Sequence, residues 1–124
     1  MSDRTSVFLY VADASASARF YAGLLGVEPV EASPTFAMFI LGSGLGLGLW
    51  GRDGVRPAPA AGGGGGEIGF RAENAAAVDA AHAKWRAKGA TIVFPPTDLD
   101  FGRSFVALDP DGHRLRVYAA AEDI

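Results

Sequence analysis

This chain is one order of segments written twice, with a glycine- and proline-rich stretch at 52–66 between the copies. The first copy opens with an alternating run at 6–11, followed by Asp13 in the position of a helix N-cap and a helical stretch carrying Phe20, Tyr21, Leu24 and Leu25. Gly26 stops that helix, because the left-handed conformation that closes a helix favours a residue without Cβ. Strands are expected at 27–32, 36–41 and 45–50, punctuated by Pro34 and by the turn Gly42-Ser43-Gly44. The second copy repeats the order. A strand at 67–72 leads to Asn74 as N-cap, a helix with Val78, Ala81 and Trp85 at i, i+3 and i+7, Gly89 as its stop, and strands at 91–94, 103–108 and 114–118. Asp109-Pro110-Asp111-Gly112 puts Asp, Pro and Gly where a type I turn takes them. The expectation is two βαβββ modules, 6–51 and 67–119, in a single domain of residues 1–124, joined by a flexible linker at 52–66. Each sheet has one face under its helix and another left to cover. The fold class is therefore α+β, the modules forming a cupped, partly closed mixed β-sheet with one helix per module packed outside.

Composition narrows the function. With 124 residues, 49 % of them hydrophobic, there is material for one packed core. The 11 basic side chains are dispersed among 14 acidic ones, so no basic stripe exists to neutralise phosphates, and a nucleic-acid partner is excluded. Without cysteine there are no disulfides, thiolate metal ligands or Cys nucleophiles. The run Met1-Ser2-Asp3-Arg4 enters a strand without the layout of a signal peptide, which points to a cytoplasmic protein. The uncharged stretch 35–51 is shorter than the roughly 20 residues of a spanning helix and is interrupted by Gly42, Gly44, Gly46 and Gly48, so no membrane partner is expected.

Several short motifs carry a resemblance. These are Val7-Phe8-Leu9-Tyr10-Val11-Ala12-Asp13 with Phe20-Tyr21 and Leu25-Gly26, then Glu67-Ile68-Gly69-Phe70, Lys88-Gly89-Ala90, and Phe101-Gly102-Arg103 running to Asp109-Pro110-Asp111-Gly112-His113. In this order and spacing they resemble the vicinal oxygen chelate superfamily of glyoxalases, bleomycin-resistance proteins and extradiol dioxygenases, over residues 6–118. The resemblance implies paired βαβββ modules and, in the enzymes, a divalent metal held by His, Gln or Glu from the first and last strand of each module. Ser6, Gly48, Glu67 and Arg116 stand at those positions here. Gly48 offers no side chain, Ser6 is a poor neutral ligand, and Arg116 brings a permanent positive charge to the place of a cation. No metal and no cofactor are expected, and Glu67 beside Arg116 reads as half of an ion pair or as a ligand contact.

Alternation along the strands gives the lining of the cup, since residues two apart share a face. Ser6, Phe8 and Tyr10 share it with Gly46, Gly48 and Trp50; Glu67, Gly69 and Arg71 share it with Arg114, Arg116 and Tyr118. The candidate ligand-binding residues are Phe8, Tyr10, Gly46, Gly48, Trp50, Glu67, Arg71, Arg116 and Tyr118, with the glycines making room for a flat ligand and the rings supplying area. The bland alternative is that the aromatics pack on one another or across a dimer interface and the glycines reflect tight packing. His82 reads as a solvent-facing or partly packed helix residue and His113 as a locally bonded turn residue, neither catalytic. Asp98, Asp100, Asp109 and Asp111 lack the calcium-loop spacing and read as turn chemistry. Gly42-Ser43-Gly44-Leu45-Gly46 lacks the spacing of a nucleotide loop.

The expectation that follows is a protein like the metal-free, drug-binding resistance branch of the superfamily: a homodimer that binds and sequesters an aromatic, antibiotic-like small molecule and leans away from being an enzyme. The alternative is a lyase- or dioxygenase-type enzyme of the same superfamily, metal-dependent or metal-independent, the latter with Glu67 as general base and Arg116 stabilising an enolate. A third reading is a structural dimer with a filled cup.

Overall fold

Asp13 and Asn74 open the two helices. The Asp13 carboxylate accepts a hydrogen bond from the Ala16 N–H at 3.0 Å, and the Asn74 side-chain carbonyl accepts one from Ala77 at 2.9 Å. Each satisfies a donor that a helix start leaves without an internal acceptor. In the computed structural model, which describes residues 4–121, the helices run Ala14–Leu25 (α1) and Ala75–Ala87 (α2). Gly26, at φ 68°, closes α1 and donates to the Ala22 carbonyl at 2.9 Å, and Gly89, at φ 89°, follows α2. Both conformations are ones that a Cβ disfavours.

Eight strands lie among the described residues, and the chain divides into two compact units between Gly62 and Gly63. In the first unit these are Ser6–Val11 (β1), Glu31–Ala32 (β2), Phe36–Ile40 (β3) and Gly46–Gly51 (β4), hydrogen-bonded in the order β1-β4-β3-β2. In the second they are Glu67–Arg71 (β5), Thr91–Leu99 (β6), Gly102–Leu108 (β7) and Arg114–Ala120 (β8), in the corresponding order β5-β8-β7-β6. The first and last strands of each unit pair in parallel and the others antiparallel, so both sheets are mixed. The fold is α+β with two βαβββ modules, as the sequence pattern requires.

Element lengths depart from the expectation at the sheet edges. The strand expected at 27–32 is reduced to two residues, and the one expected at 91–94 extends to nine. β6 accommodates Pro95 and Pro96 because it is an edge strand whose pairing with β7 shifts register between Ile92 and Phe94 and again between Phe94 and Thr97. A residue without an N–H is tolerated at an edge and at such irregularities. Asp98, expected in turn chemistry, lies in this strand and pairs with Arg103 at 2.9 Å. The glycine-rich stretch begins with a short 3-10 helix, Arg52–Gly54, followed by the buried Val55.

Each core lies between a helix and the facing side of its own sheet. In the first unit Val11, Tyr21, Ala37, Phe39, Leu47 and Leu49 are fully enclosed. In the second, Trp85 of α2 packs edge-on against Phe70 and Phe105, at 5.8 and 5.4 Å between centroids. Such contacts add to area burial because the positive edge of one ring meets the negative face of the other. Every one of these strand residues alternates with a residue on the opposite side of the sheet. Those alternate positions carry the candidate site.

Candidate functional site

The open face of the first sheet is built by register. Ser6, Phe8 and Tyr10 of β1 lie opposite Gly46, Gly48 and Trp50 of β4, and on the other side of β4 these three face Ile40, Met38 and Phe36 of β3. Trp50 is the hub: Phe8, Tyr10 and Phe36 approach it at 6.3, 6.4 and 6.5 Å between centroids, with interplanar angles of 65°, 79° and 88°. Phe8 and Tyr10 remain 47 % and 36 % exposed. The glycines have a local role in this arrangement. A Cβ on Gly48 would come within 2.6 Å of the Phe8 ring and 3.3 Å of the Phe36 ring, so glycine lets both rings settle over the β4 backbone. At Gly46 the Ser6 hydroxyl occupies the corresponding space. The room the glycines make is taken up by side chains of this face, and the floor it offers is aromatic.

The open face of the second sheet is charged. Glu67 and Gly69 of β5 lie opposite Arg114 and Arg116 of β8, and Arg71 lies opposite Tyr118. Arg116 grips Glu67 with both prongs, Nε donating to Oε1 at 2.6 Å and Nη2 to Oε2 at 3.3 Å, while its Nη1 donates to the Ser104 hydroxyl at 2.9 Å. Arg114 adds a second cation, its Nε 3.5 Å from Glu67 Oε2. The hydrogen bonds from Arg116 hold the Glu67 carboxyl below its ordinary value of 4.5; partial burial opposes this, and the charges of Arg116 and Arg114 reinforce it. The ion-pair reading of Glu67 and Arg116 therefore holds. Two shallow depressions lie on this unit: one of about 440 Å³ against Glu67, Gly69, Phe101, Arg116 and Tyr118, and one of about 450 Å³ against Val93, Phe94, Leu99, Leu108, Arg114 and Arg116. Gly69 acts as Gly48 does, since a Cβ there would meet the Tyr118 ring at 3.2 Å.

Three contributors were not among the sequence candidates. Phe36 belongs to the aromatic face, and its signal was the alternation Phe36, Met38, Ile40 against the buried Ala37 and Phe39. Ser104, fully buried beneath Arg116, carried no signal, because only the β7–β8 register brings it there. Phe101, 47 % exposed, lies in the turn before β7. Neither histidine joins these faces. His82 packs its ring edge-on to Phe105 at 5.3 Å, towards the core of its unit. His113 closes a turn around the buried Asp109, whose carboxylate accepts from the His113 and Asp111 N–H groups at 2.8 and 2.9 Å. A further depression of about 360 Å³ between α1 and the segment 28–34 contains none of the candidates.

The Glyoxalase/Bleomycin resistance protein/Dioxygenase superfamily profile matches residues 4–117. The chain belongs to this superfamily. It is 31 % identical over 115 residues to the phenazine antibiotic resistance protein EhpR of Enterobacter agglomerans, across 88 % of this chain and 85 % of that one. Protein ATC0852 of Agrobacterium tumefaciens, known from a solution NMR structure, is 50 % identical and superposes with a TM-score of 0.87, over 98 % of this chain and 99 % of that one. A glyoxalase/bleomycin resistance protein/dioxygenase from Nocardioides is 27 % identical, with a TM-score of 0.81, over 98 % of this chain and 85 % of that one.

The metal chemistry of the superfamily's enzymes does not fit these residues. Of the positions that correspond by resemblance, Ser6 is turned against Gly46, Gly48 lies under Phe8, and Glu67 has both oxygens engaged by arginines. A divalent ion at Glu67 would have to displace two guanidinium groups. Among the described residues no three His, Asp or Glu side chains gather into a metal-binding group. No described helix is long and apolar enough to cross a membrane.

Proposed function

We propose that this superfamily member is a metal-independent binding protein, acting as a cytoplasmic homodimer, that sequesters a planar aromatic small molecule of antibiotic-like character. The observation that carries this reading is the arrangement of Phe8, Tyr10 and Phe36 edge-on around Trp50, with Phe8 and Tyr10 left half open. Open rings on a sheet face gain stabilisation when a flat ligand covers them, through area burial and offset stacking together. A relative whose name records resistance to phenazine antibiotics supports the same class of ligand. The enzymatic alternative asks Glu67 to take a proton. A carboxylate held by two arginines and lowered in pKa is a weak base, which speaks against that role.

Titration with phenazine tests the proposal. Saturable quenching of Trp emission is expected, with phenazine recovered chemically unchanged. Because Trp50→Ala leaves only the buried Trp85 as a source of emission, its affinity is measured by calorimetry, where a loss of about tenfold or more is expected from the stacking contribution. The filled-face reading makes a different prediction for the same variant, a stability loss of about 3–5 kcal/mol as for a fully buried ring, against about 1–2 kcal/mol for a half-open one. Absence of binding, or consumption of phenazine, would overturn the sequestering reading.

A further inference from the structure

The two depressions of the second unit differ in charge. The one of about 440 Å³ contains a carboxylate, Glu67, together with a single arginine, Arg116. The one of about 450 Å³ is lined by Arg114 and Arg116 and by the apolar side chains of Val93, Phe94, Leu99 and Leu108, with no acid among them. All six residues lie on β6, β7 and β8 of the same unit, where the register sets Leu108 opposite Arg114. Arg116 is committed to Glu67 and to the buried Ser104 through three of its five N–H groups. Arg114 meets Glu67 only through Nε at 3.5 Å, its side chain is 43 % exposed, and its terminal nitrogens have no partner among the described residues. One carboxylate neutralises one of the two cations, so a positive charge is left over on Arg114. That surplus sits beside open apolar surface, since Val93 and Leu99 are 51 % and 39 % exposed. Asp98, the acid next to Leu99, is paired with Arg103.

We propose that this depression is a second ligand site, contained within the second unit, for a small monocarboxylic acid with an apolar tail. The carboxylate is taken by Arg114 and the tail lies against Val93, Phe94, Leu99 and Leu108. This goes beyond the aromatic-ligand reading and does not rest on it. The guanidinium fork matches a carboxylate in shape and donates two parallel hydrogen bonds to it. The Glu67 and Ser104 contacts hold Arg116 in one orientation before any ligand arrives, so less freedom is lost on binding. The charge selects a monoanion: two arginines and one carboxylate leave a single positive charge to match, and the second charge of a dianion would meet Glu67 unopposed. The apolar wall selects a tail, because covering exposed Val93 and Leu99 removes apolar area from water.

The test titrates hexanoate and hexanamide into the isotope-labelled full chain at neutral pH and follows the backbone amide NMR signals. Saturable shifts are expected in β6, β7 and β8, around Val93, Leu99, Leu108 and Arg114. Hexanoate should bind about tenfold more tightly than hexanamide at about 50 mM NaCl, and the ratio should shrink at about 500 mM as the charges are screened. Acetate, which keeps the charge without the tail, should bind at least about tenfold more weakly than hexanoate. Arg114→Gln should bring the ratio of hexanoate to hexanamide close to one, whereas Arg114→Lys should retain part of it. Thermal melts establish that both variants are folded, which the exposure of Arg114 favours. Absence of hexanoate binding, shifts confined to other strands, equal binding of acid and amide, or a ratio that survives Arg114→Gln would each overturn the site. Phenazine titration reads the rings of the first unit separately, so either proposal can fail while the other stands.

Discussion

Glu67 is held as an anion by a bidentate arginine, and this makes its contribution to stability dependent on pH in a known direction. Its carboxyl lies below the ordinary value of 4.5 in the folded chain, so the unfolded chain binds the proton more readily. The stabilisation is present in full above about pH 6 and is lost as the pH falls through the unfolded and then the folded value. Glu67→Gln should lower the urea midpoint relative to the parent at pH 7, and the gap should close as the pH falls towards about 3. A gap that stays constant with pH would mean that the pair contributes packing only. A second comparison separates two glycines. A Cβ on Gly48 would press on the Phe8 ring, which is half exposed and can swing aside, whereas a Cβ on Gly102 would fall on the Ala119 carbonyl, at a φ of 143°. Gly48→Ala should therefore cost about 1 kcal/mol, and Gly102→Ala more than about 2 kcal/mol, in urea unfolding. The pairing of Glu67 with Arg116 was legible in the sequence because both fall on one face of adjacent strands. That Phe8 and Phe36 lie over Gly48 was not, because it depends on the β1–β4–β3 register and on ring rotamers that alternation does not specify.

At the scale of elements, the helices were the most legible part of the chain and for a local reason. A cap acts within four residues of itself, so Asp13 and Gly26 mark α1 without any knowledge of its partners. Asp13→Ala and Asn74→Ala should each lower stability by about 1 kcal/mol, measured as a shift of the urea transition at unchanged slope. A change in slope would indicate that loss of the cap alters how much structure unfolds in one step. Strand limits were less legible at the edges. Residues 27–30 carry apolar character but only Glu31 and Ala32 pair as a strand, while Pro95 and Pro96 argued for an end that β6 does not have. Both cases turn on position in the sheet: an edge strand needs hydrogen bonds on one side only, so it can stop early or carry prolines, and propensity does not report which strand is at the edge.

At the scale of the molecule, two modules share one strand order and differ in what their open faces present. The first offers rings over glycine, and the second offers two arginines around one carboxylate. In an enzyme of this superfamily, ligands for one metal come from both modules, so metal binding requires each module to keep its donors. At the positions that correspond by resemblance, the first module carries Ser6 and Gly48, and the second carries a carboxylate already paired with cations. This yields a prediction about metal removal. A ligand bound to the native state at about 100 times its dissociation constant stabilises that state by about 2.7 kcal/mol, so a tightly held structural or catalytic ion would show itself when stripped. Dialysis against EDTA should leave both the melting temperature and phenazine affinity unchanged, and readdition of zinc, nickel or manganese should raise neither. A fall of roughly 10 °C on chelation, restored by one of these ions, would place a metal on the chain and return its function to the enzymatic side of the superfamily. The unchanged result would leave the open face of the first unit to act by contact alone, its rings taking the flat body of the ligand.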